Sequence, residues 1–482
     1  MAGKKIHHNA MYNLAGSIAP IVIAFLTVPI YIKLVGEARY GLISLIWLAF
    51  GYFGVFDLGL SRATAYRLSS LNDQPLAVRT SVFYTACGLN LGLGLLSAMC
   101  FYVVSSASAA HFADSLELQS EIVRSLPWVA LFFPVGLLGG VFAGCLQSQE
   151  MFLELNVQQS VGSIVLQTLP LLFFYYGDHD LPSAILGAVI ARALNVCWLG
   201  LVCVKWMYPA GRPVFRSAYI RGLFRYGGWI TISDMISPIL NGLDQMIIGA
   251  TLGPKATAYY SVPFSMASKV LIIPASLNRA VFPRLAVLDT SNARRVSEKS
   301  LEIIAGLMAL TCAPAIILAQ PALAFWINAE FASHAHLAAS ILLVGMWINS
   351  IGYIPWTLLQ ARGRPDTVAK IHALELLPFV GLLLALISLF GLAGAAVAWC
   401  ARVLMDLLLQ TRFSEMKLSD LKVTGVPALV VAMSFVATFA SMGLLTSLAV
   451  AILPVLVMAV WLLKTTDITG YIGLDMSRFQ RK

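Results

Sequence analysis

Two short phrases with paired arginines decide how this chain is organised: LSRATAYRL at residues 60–68 and LNRAVFPRL at residues 277–285. A shift of 217 residues superimposes the phrases, so that each arginine of the first meets an arginine of the second. The same shift matches Gly36 with Gly253, and further along the register drifts by only a few residues. Matches of Leu or Ala are common in an apolar chain, but matched arginines and glycines are not. The sequence therefore predicts an internal duplication.

The composition indicates a polytopic membrane protein. Of its 482 residues 59% are hydrophobic and 11% are charged, and the mean hydropathy is +0.82, whereas a soluble domain carries about 25% charged residues. A soluble protein this apolar would expose patches that aggregate, so a soluble or purely structural role is excluded. The seven cysteines are scattered without metal-ligand spacing, so no disulfide framework, metal site or cofactor is expected.

About fourteen transmembrane helices are predicted from stretches of about 20 apolar residues. With both termini in the cytoplasm, the lysines and arginines concentrate in inner loops such as 205–225 and 284–299, as the positive-inside rule requires. The longest outer loop, 105–125, is acidic instead. The net charge of +9 is therefore explained by topology, and no nucleic-acid partner is expected.

The duplication corresponds to six helices, and an even number gives both halves the same orientation in the membrane. We predict an all-α protein with a six-helix N-terminal lobe at 1–215 and a parallel six-helix C-terminal lobe at 216–412. These lobes would surround a central cavity, and two extra helices and a cytoplasmic tail would follow at 413–482. Proline permits a kink in a membrane helix, so Pro20 and Pro238, near the start of each half, are candidate hinges.

Several longer segments are similar to a known family. The segments are GEARYGLISL with FDLGLSRATAYRLS, then LDQMIIGATLGPKATAYYSV, then LQARGRPDTVAK followed by GLAGAA. In this order and spacing they resemble oligosaccharide flippases of the multidrug/oligosaccharidyl-lipid/polysaccharide exporter superfamily. The resemblance implies a transporter that moves polyprenyl-diphosphate-linked glycans from the inner to the outer leaflet of a bacterial inner membrane by alternating access. It also implies a monomer, with membrane lipids, a polysaccharide polymerase and chain-length proteins as candidate partners.

The arginines of the repeated phrase lie near the cytoplasmic ends of their predicted helices. Arg62 and Arg279 are the deeper pair, and a guanidinium there can bind a diphosphate head group with its bidentate fork. The alternative is that such residues extend to the inner interface and serve only the positive-inside rule. We prefer that alternative for Arg67 and Arg284, and substrate binding for Arg62 and Arg279.

Three further cations lie deep within predicted spans, where a charge normally faces a wet cavity or a partner. Arg192 has no acidic residue within reach on its own helix, and Lys269 also lacks a local partner. Both are therefore candidate substrate-binding residues. Arg402 is a third candidate, although Asp406, one turn later, offers an ion pair as the simpler explanation.

Three acidic residues within predicted spans, Asp57, Asp234 and Glu375, could either neutralise these cations or carry a coupled proton. The sequence does not separate the two roles. For Asp244, which lies towards the outer end of its helix, solvation is expected.

Three other functions were weighed. A multidrug exporter of the same superfamily would favour cationic substrates and a dominant carboxylate site, whereas bases and acids are balanced here. A flippase for the lipid-linked peptidoglycan precursor differs only in its head group and stays open. A membrane polysaccharide polymerase or ligase would carry a large outer loop with catalytic bases, and no nucleophile–base arrangement is present in the sequence.

The topology can be tested by cysteine labelling in intact cells. A cysteine introduced near Glu117 should react with an impermeant thiol reagent, because this loop lies outside, and a cysteine near Arg216 should not. The reverse labelling pattern would invert the orientation and the depths assigned to the arginines.

Overall fold

The computed structural model describes the backbone of residues 20–51, 57–71, 73–207, 215–216, 219–440 and 442–465, without the side chains of 51, 152, 206, 207, 221–239 and 241. Within this part the regular structure is α-helix with short 3₁₀ segments. The predicted all-α class is confirmed. By its internal contacts the chain forms two compact units, an N-terminal unit, Met1–Ala258, and a C-terminal unit, Tyr259–Lys482.

In the described residues of the N-terminal unit there are seven helices and most of an eighth. They are α1 Pro20–Val35, α2 Glu37–Gly51, α3 Leu60–Ser70, α4 Leu76–Ser108, α5 Leu116–Ser148, α6 Phe152–Tyr176, α7 Leu181–Met207 and α8 Ile220–Ser268. The core of this unit lies around α5, whose central 18-residue apolar window is 67% buried. Both α4 and α7 pack against α5.

The C-terminal unit continues from the end of α8. Its helices are α9 Ile272–Val287, α10 Thr290–Trp326, α11 Ala329–Ala361, α12 Pro365–Phe413, α13 Gly425–Ala437 and α14 Leu444–Thr465. The most buried of them is α11, which packs on both α10 and α12.

Ten helices of the described chain are long and apolar enough to cross a membrane. Two of these segments, Gly242–Val287 and Pro365–Phe413, contain 46 and 49 residues. At 1.5 Å per residue each is long enough to cross a hydrocarbon core of about 30 Å twice. Each also bends at a glycine with non-helical backbone angles, Gly253 or Gly391. With these two segments crossing twice, and with the shorter apolar helix α1 and the stretch 37–70 each crossing once, the lengths agree with about fourteen spans. Residues 52–56, within the stretch 37–70, lie outside the described part.

The duplication is visible in the backbone at the turns. Gly36 has φ 89° and its repeat partner Gly253 has φ 86°. The phrase LQSQE ends at Glu150 with φ 58°, and LQARG ends at Gly363 with φ 68°. Left-handed backbone is rare for residues other than glycine, so its recurrence at matched positions supports the repeat. The boundaries predicted for the lobes, 215 and 412, and their arrangement around a central cavity stay predictions.

The two extra helices are fixed to the C-terminal unit by packing and by charge. Both α13 and α14 pack on α10, where Gly306 leaves room for Trp461 and Leu462. At the start of α10, Arg294 forms two hydrogen bonds to the carboxylate of Asp420, in the 3₁₀ segment before α13. A bidentate pair of this kind fixes orientation as well as distance.

The kink at Gly391 gives a matched pair of substitutions on α12. Gly391 has φ 57° and ψ −132°, Gly381 is an ordinary helical residue, and neither has an atom within 4 Å of an added Cβ. Gly391→Ala should therefore destabilise the protein by about 1–3 kcal/mol through backbone strain alone. Gly381→Ala should be neutral or stabilising by up to about 1 kcal/mol. Thermal unfolding of the purified variants in detergent measures both, and equal melting temperatures would contradict the kink.

Candidate functional site

A cavity of about 540 Å³ lies inside the N-terminal unit, between the start of α3 and the helices α5, α6 and α7. Its wall is unusually polar for the interior of an apolar protein. The polar residues that line it are Asp57, Ser61, Gln147, Gln158, Gln159, Ser163, Arg192 and Asn195. We take this cavity as the candidate site.

Glycines on α5 shape one side of the cavity. A Cβ on Gly140 would lie 2.3 Å from the Ser61 hydroxyl oxygen, and one on Gly144 would lie 2.6 Å from the Ser61 carbonyl oxygen. Larger residues at these positions would push α3 away from α5. The two glycines therefore allow α3 to approach closely and bring Asp57 and Ser61 to the cavity wall.

Asp57 lies in the turn that precedes α3, where the backbone passes through left-handed angles at Leu58 and Gly59. Its carboxylate accepts hydrogen bonds from the Ser61 amide at 3.0 Å and from the Ser61 hydroxyl at 2.8 Å. The nearby guanidinium of Arg62 also attracts it. The hydrogen bonds from Ser61 hold the Asp57 carboxylate in place, and this residue both precedes α3 and lines the cavity.

Arg192 is the cation of the cavity. It lies eleven residues into α7, about 16 Å along the helix and so near its middle. Its guanidinium carbon sits 5.7 Å from the ring centre of Phe132 on α5, within range of a cation–π contact. Among the described residues its buried Nε has no hydrogen-bond partner and no carboxylate forms an ion pair with it. Arg192 as a whole is half-buried, and a partly desolvated charge with so little compensation is costly unless a ligand completes its shell.

Amide side chains connect α6 and α7 at the same level. Asn195, one turn beyond Arg192, donates from its amide nitrogen to the carbonyls of Ala191 at 3.0 Å and Gly162 at 3.3 Å. Its side-chain oxygen accepts from Gln158 at 3.3 Å. This network fixes Asn195 and leaves further amide donors and acceptors on the cavity wall, which suits a ligand rich in hydroxyl groups.

The other predicted cations lie elsewhere. Arg62 is exposed on α3, Arg279 is exposed on α9, and Lys269 is exposed in the 3₁₀ segment that precedes α9. Arg62 belongs to the N-terminal unit and the other two to the C-terminal unit. Their convergence on one ligand stays a prediction.

Arg402 and Glu375 meet in the C-terminal unit, on the two halves of α12. Nη1 of Arg402 lies 3.9 Å from Oε2 of Glu375, and both side chains are buried. The sequence named Asp406 as a partner for Arg402 and offered Glu375 as an acid that could neutralise one of the cations, without saying which one. The side chains of Asp234 and Pro238 lie outside the described residues, and the described part of α1 begins at Pro20, so their predicted roles stay untested.

Sequence reasoning missed two features. It did not select the amides of the stretch NVQQS at 156–160 and Asn195, although polar amides inside a predicted span were a visible signal. It also expected Asp244 to be solvated, which is wrong: Asp244 is fully buried, and its carboxylate accepts a hydrogen bond from the backbone amide of Gln245. Position along a helix gives depth, whereas the face on which a residue lies depends on packing.

Known proteins share the sequence pattern of this chain. A family model described as polysaccharide biosynthesis protein matches residues 6–288, more than half of the chain. The chain belongs to the polysaccharide biosynthesis protein family. A relative from Shigella flexneri, named "Putative O-antigen transporter", is 29% identical over 414 residues, which are 85% of this chain and 97% of that protein. The predicted family is confirmed, and with it a membrane transporter rather than an enzyme.

Solved structures give the same fold. The lipid II flippase MurJ in an inward closed conformation matches with a TM-score of 0.74 at 15% identity, over 94% of this chain and 99% of that chain. An inward-facing multidrug transporter of the MATE family matches with a TM-score of 0.64 at 14% identity, over 90% of this chain and 96% of that chain. At these identities the likeness establishes the fold alone.

Because the charge of Arg192 has little compensation, its removal should not lower the melting temperature of the protein. Arg192→Met removes a desolvated charge and keeps most of the side-chain volume, so the melting temperature should be unchanged or higher. The control is Glu121→Gln on α5. The buried Glu121 carboxylate accepts two hydrogen bonds from Arg39 and one from the Leu181 amide, and its loss should cost about 3 kcal/mol. Thermal unfolding in detergent compares the two, and equal losses would make Arg192 a structural residue.

Proposed function

We propose that this chain flips a polyprenyl-diphosphate-linked oligosaccharide, an O-antigen or exopolysaccharide repeat unit, from the inner to the outer leaflet of the bacterial inner membrane by alternating access. The observation that carries this proposal is the cavity in the N-terminal unit, in which Arg192 lies among amide and hydroxyl side chains. Membership of the polysaccharide biosynthesis family and the relative named as an O-antigen transporter support the same substrate class.

The chemistry of the cavity fits a charged sugar conjugate. Sugar hydroxyls are both donors and acceptors, and the amides of Gln147, Gln158 and Gln159 offer both functions at the wall. The guanidinium of Arg192 favours an anion such as a diphosphate, for which its planar fork is well shaped. The Asp57 carboxylate is already held by Ser61 and Arg62. An anionic, hydroxyl-rich head group therefore suits this cavity better than an amphipathic cation does.

The exposed arginines provide a first contact for the same head group. In our proposal Arg62 and Arg279, which the duplication relates, receive the diphosphate at the cytoplasmic end of the transport path. Lys269 and Arg192 then draw it towards the middle of the bilayer, while the polyprenyl tail stays in lipid. Arg402 is the last candidate for the substrate, and its environment differs, because it is buried with Glu375 at 3.9 Å and beneath aromatic rings.

Location and partners follow from the proposal. A flippase for lipid-linked glycans would act in the inner membrane with both termini in the cytoplasm. We propose that it works as a monomer and delivers its product to a polysaccharide polymerase and its chain-length proteins. Hinges at Pro20 and Pro238, and charge balance or proton coupling at Asp57, Asp234 and Glu375, belong to the same proposal.

Complementation of a bacterium that lacks the gene tests this function. Arg62→Ala, Arg279→Ala and Arg192→Met should reach the membrane, lose surface glycan and accumulate the lipid-linked precursor. One charge-assisted contact is worth about 1.5–3 kcal/mol, which is roughly a tenfold to hundredfold loss of affinity. Lysine at position 62 or 279 should restore export in part, because the charge returns without the planar fork.

The matched controls are Arg67→Ala and Arg284→Ala, whose side chains are also exposed and should serve only topology. Loss of export in these controls alone would mean that the wrong arginine of each pair was chosen. Normal export in all five variants would reject a substrate role for the arginines. Accumulation of a peptidoglycan precursor, or sensitivity to cationic drugs with normal glycan, would instead identify one of the other transporters of the superfamily.

A further inference from the structure

Four ionisable side chains meet between the two halves of α12. His372 and Glu375 precede the kink at Gly391, and Arg402 and Asp406 follow it. Nε2 of His372 lies 3.7 Å from Oδ1 of Asp406, and Nη1 of Arg402 lies 3.9 Å from Oε2 of Glu375. The cluster belongs wholly to the C-terminal unit and has no part in the cavity around Arg192.

The cluster is shielded from water. The exposed fractions of the side chains are 0% for Glu375, 7% for Arg402, 14% for Asp406 and 19% for His372. Aromatic rings cover the guanidinium, whose carbon lies 5.6 Å from the ring centre of Phe379 and 5.9 Å from that of Trp399. In such surroundings a net charge is strongly disfavoured.

A count of formal charges shows that the cluster needs one proton. Arg402 is a permanent cation, whereas Glu375 and Asp406 are two acids and His372 is neutral unless it is protonated. With both acids ionised and His372 neutral, the cluster carries one negative charge. A single bound proton makes it neutral.

The hydrogen bonds indicate where this proton resides. As a carboxylate, Glu375 has no hydrogen-bond donor for either oxygen among the described residues. Its side chain is fully buried, and an ionised carboxylate that is buried without donors costs far more than a neutral acid. A proton on Glu375 removes this cost, whereas Asp406 can stay ionised, since its carboxylate accepts a hydrogen bond from Gln410 at 2.5 Å.

Neighbouring elements supply no second cation in the described part of the chain. On α11, Tyr353 is the ionisable residue between positions 337 and 361, while Glu330, His334 and His336 lie at the far end of that helix. In the 3₁₀ segment that follows α12, Asp420 binds Arg294. The remaining charges near the start of α12, Asp366 and Lys370, form an exposed ion pair with each other.

We propose that His372, Glu375, Arg402 and Asp406 form a proton-binding site in the C-terminal unit, with one exchangeable proton on Glu375. Loss of this proton, through the partly exposed His372, leaves a Glu375 carboxylate that draws Arg402 into a full ion pair. Protonation thereby changes the contact between the two halves of α12. A bound metal cation fits the site poorly, because the guanidinium of Arg402 would repel it. This proposal deepens the role proposed above for Glu375 and rests on the flippase function only for the use made of the proton, since the site itself does not depend on which ligand the N-terminal cavity takes.

Infrared difference spectroscopy of the purified full-length protein in nanodiscs, with pH as the variable and no substrate added, tests the site directly. At neutral pH the wild type should show a carboxylic acid carbonyl band that disappears at high pH and shifts in heavy water. Glu375→Gln should abolish this band, and the control Asp366→Asn on the same helix should leave it unchanged. Arg402→Gln should retain the band and move its disappearance to higher pH, because loss of the permanent cation disfavours the ionised form of Glu375.

Thermal unfolding provides a second readout. At neutral pH Glu375→Gln should keep the wild-type melting temperature, because glutamine reproduces a protonated glutamate. A wild type without the carboxylic acid band, or a band that survives in Glu375→Gln, would overturn the proposal. A large loss of stability in Glu375→Gln would do the same, since it would indicate an ionised glutamate in a permanent ion pair. None of these results depends on glycan export, so a failure here is separate from a failure of the flippase proposal.

Discussion

The structure depends on the requirement that backbone amides buried in hydrocarbon find hydrogen-bond partners within the protein. Helices meet this requirement along their length. The costly positions are the turns and kinks, where the backbone hydrogen bonds of a helix are interrupted. At several of these positions the backbone adopts left-handed angles, namely at Gly36, Gly253, Glu150 and Gly363. Their recurrence at matched positions agrees with the predicted duplication, because interruptions of helical hydrogen bonding fall at the same places in both halves.

Charged side chains inside the membrane also need partners, but different kinds of neighbour can supply them. Arg192 and Arg402 occupy equivalent helices of the two halves, at ARAL and ARVL, yet their surroundings have diverged. Around Arg192 the neighbours are glycines, amides and hydroxyls, and a cavity remains open. Around Arg402 they are a carboxylate and aromatic rings, and the space is filled. The two arginines that the predicted repeat relates therefore have different surroundings, an open cavity in one half and a buried acid in the other.

The sequence predicted the class, the family and the repeat, because these depend on properties that are local or repeated along the chain: apolar length, loop charge and matched phrases. It predicted candidate cations, but it could not tell that Arg192 faces amides while Arg62 and Arg279 are exposed. The burial of Asp244 was beyond it as well, and although Glu375 was predicted as a possible counter-charge, the sequence did not show that its neighbour is Arg402. Each of these depends on which face of a helix packs against which neighbour. Membrane helices are apolar on all sides, so the sequence does not show which face is packed.

The attachment of α13 and α14 to α10 has a mechanical consequence. The close packing at Gly306 and the bidentate contact between Arg294 and Asp420 make these peripheral helices part of the C-terminal unit. Any rotation of α10 must therefore be transmitted to α14, whose outward side chains such as Leu445 and Leu463 are highly exposed. A probe attached to an exposed position of α14 would therefore report the movement of the C-terminal unit. It would do so without disturbing the interior of the protein.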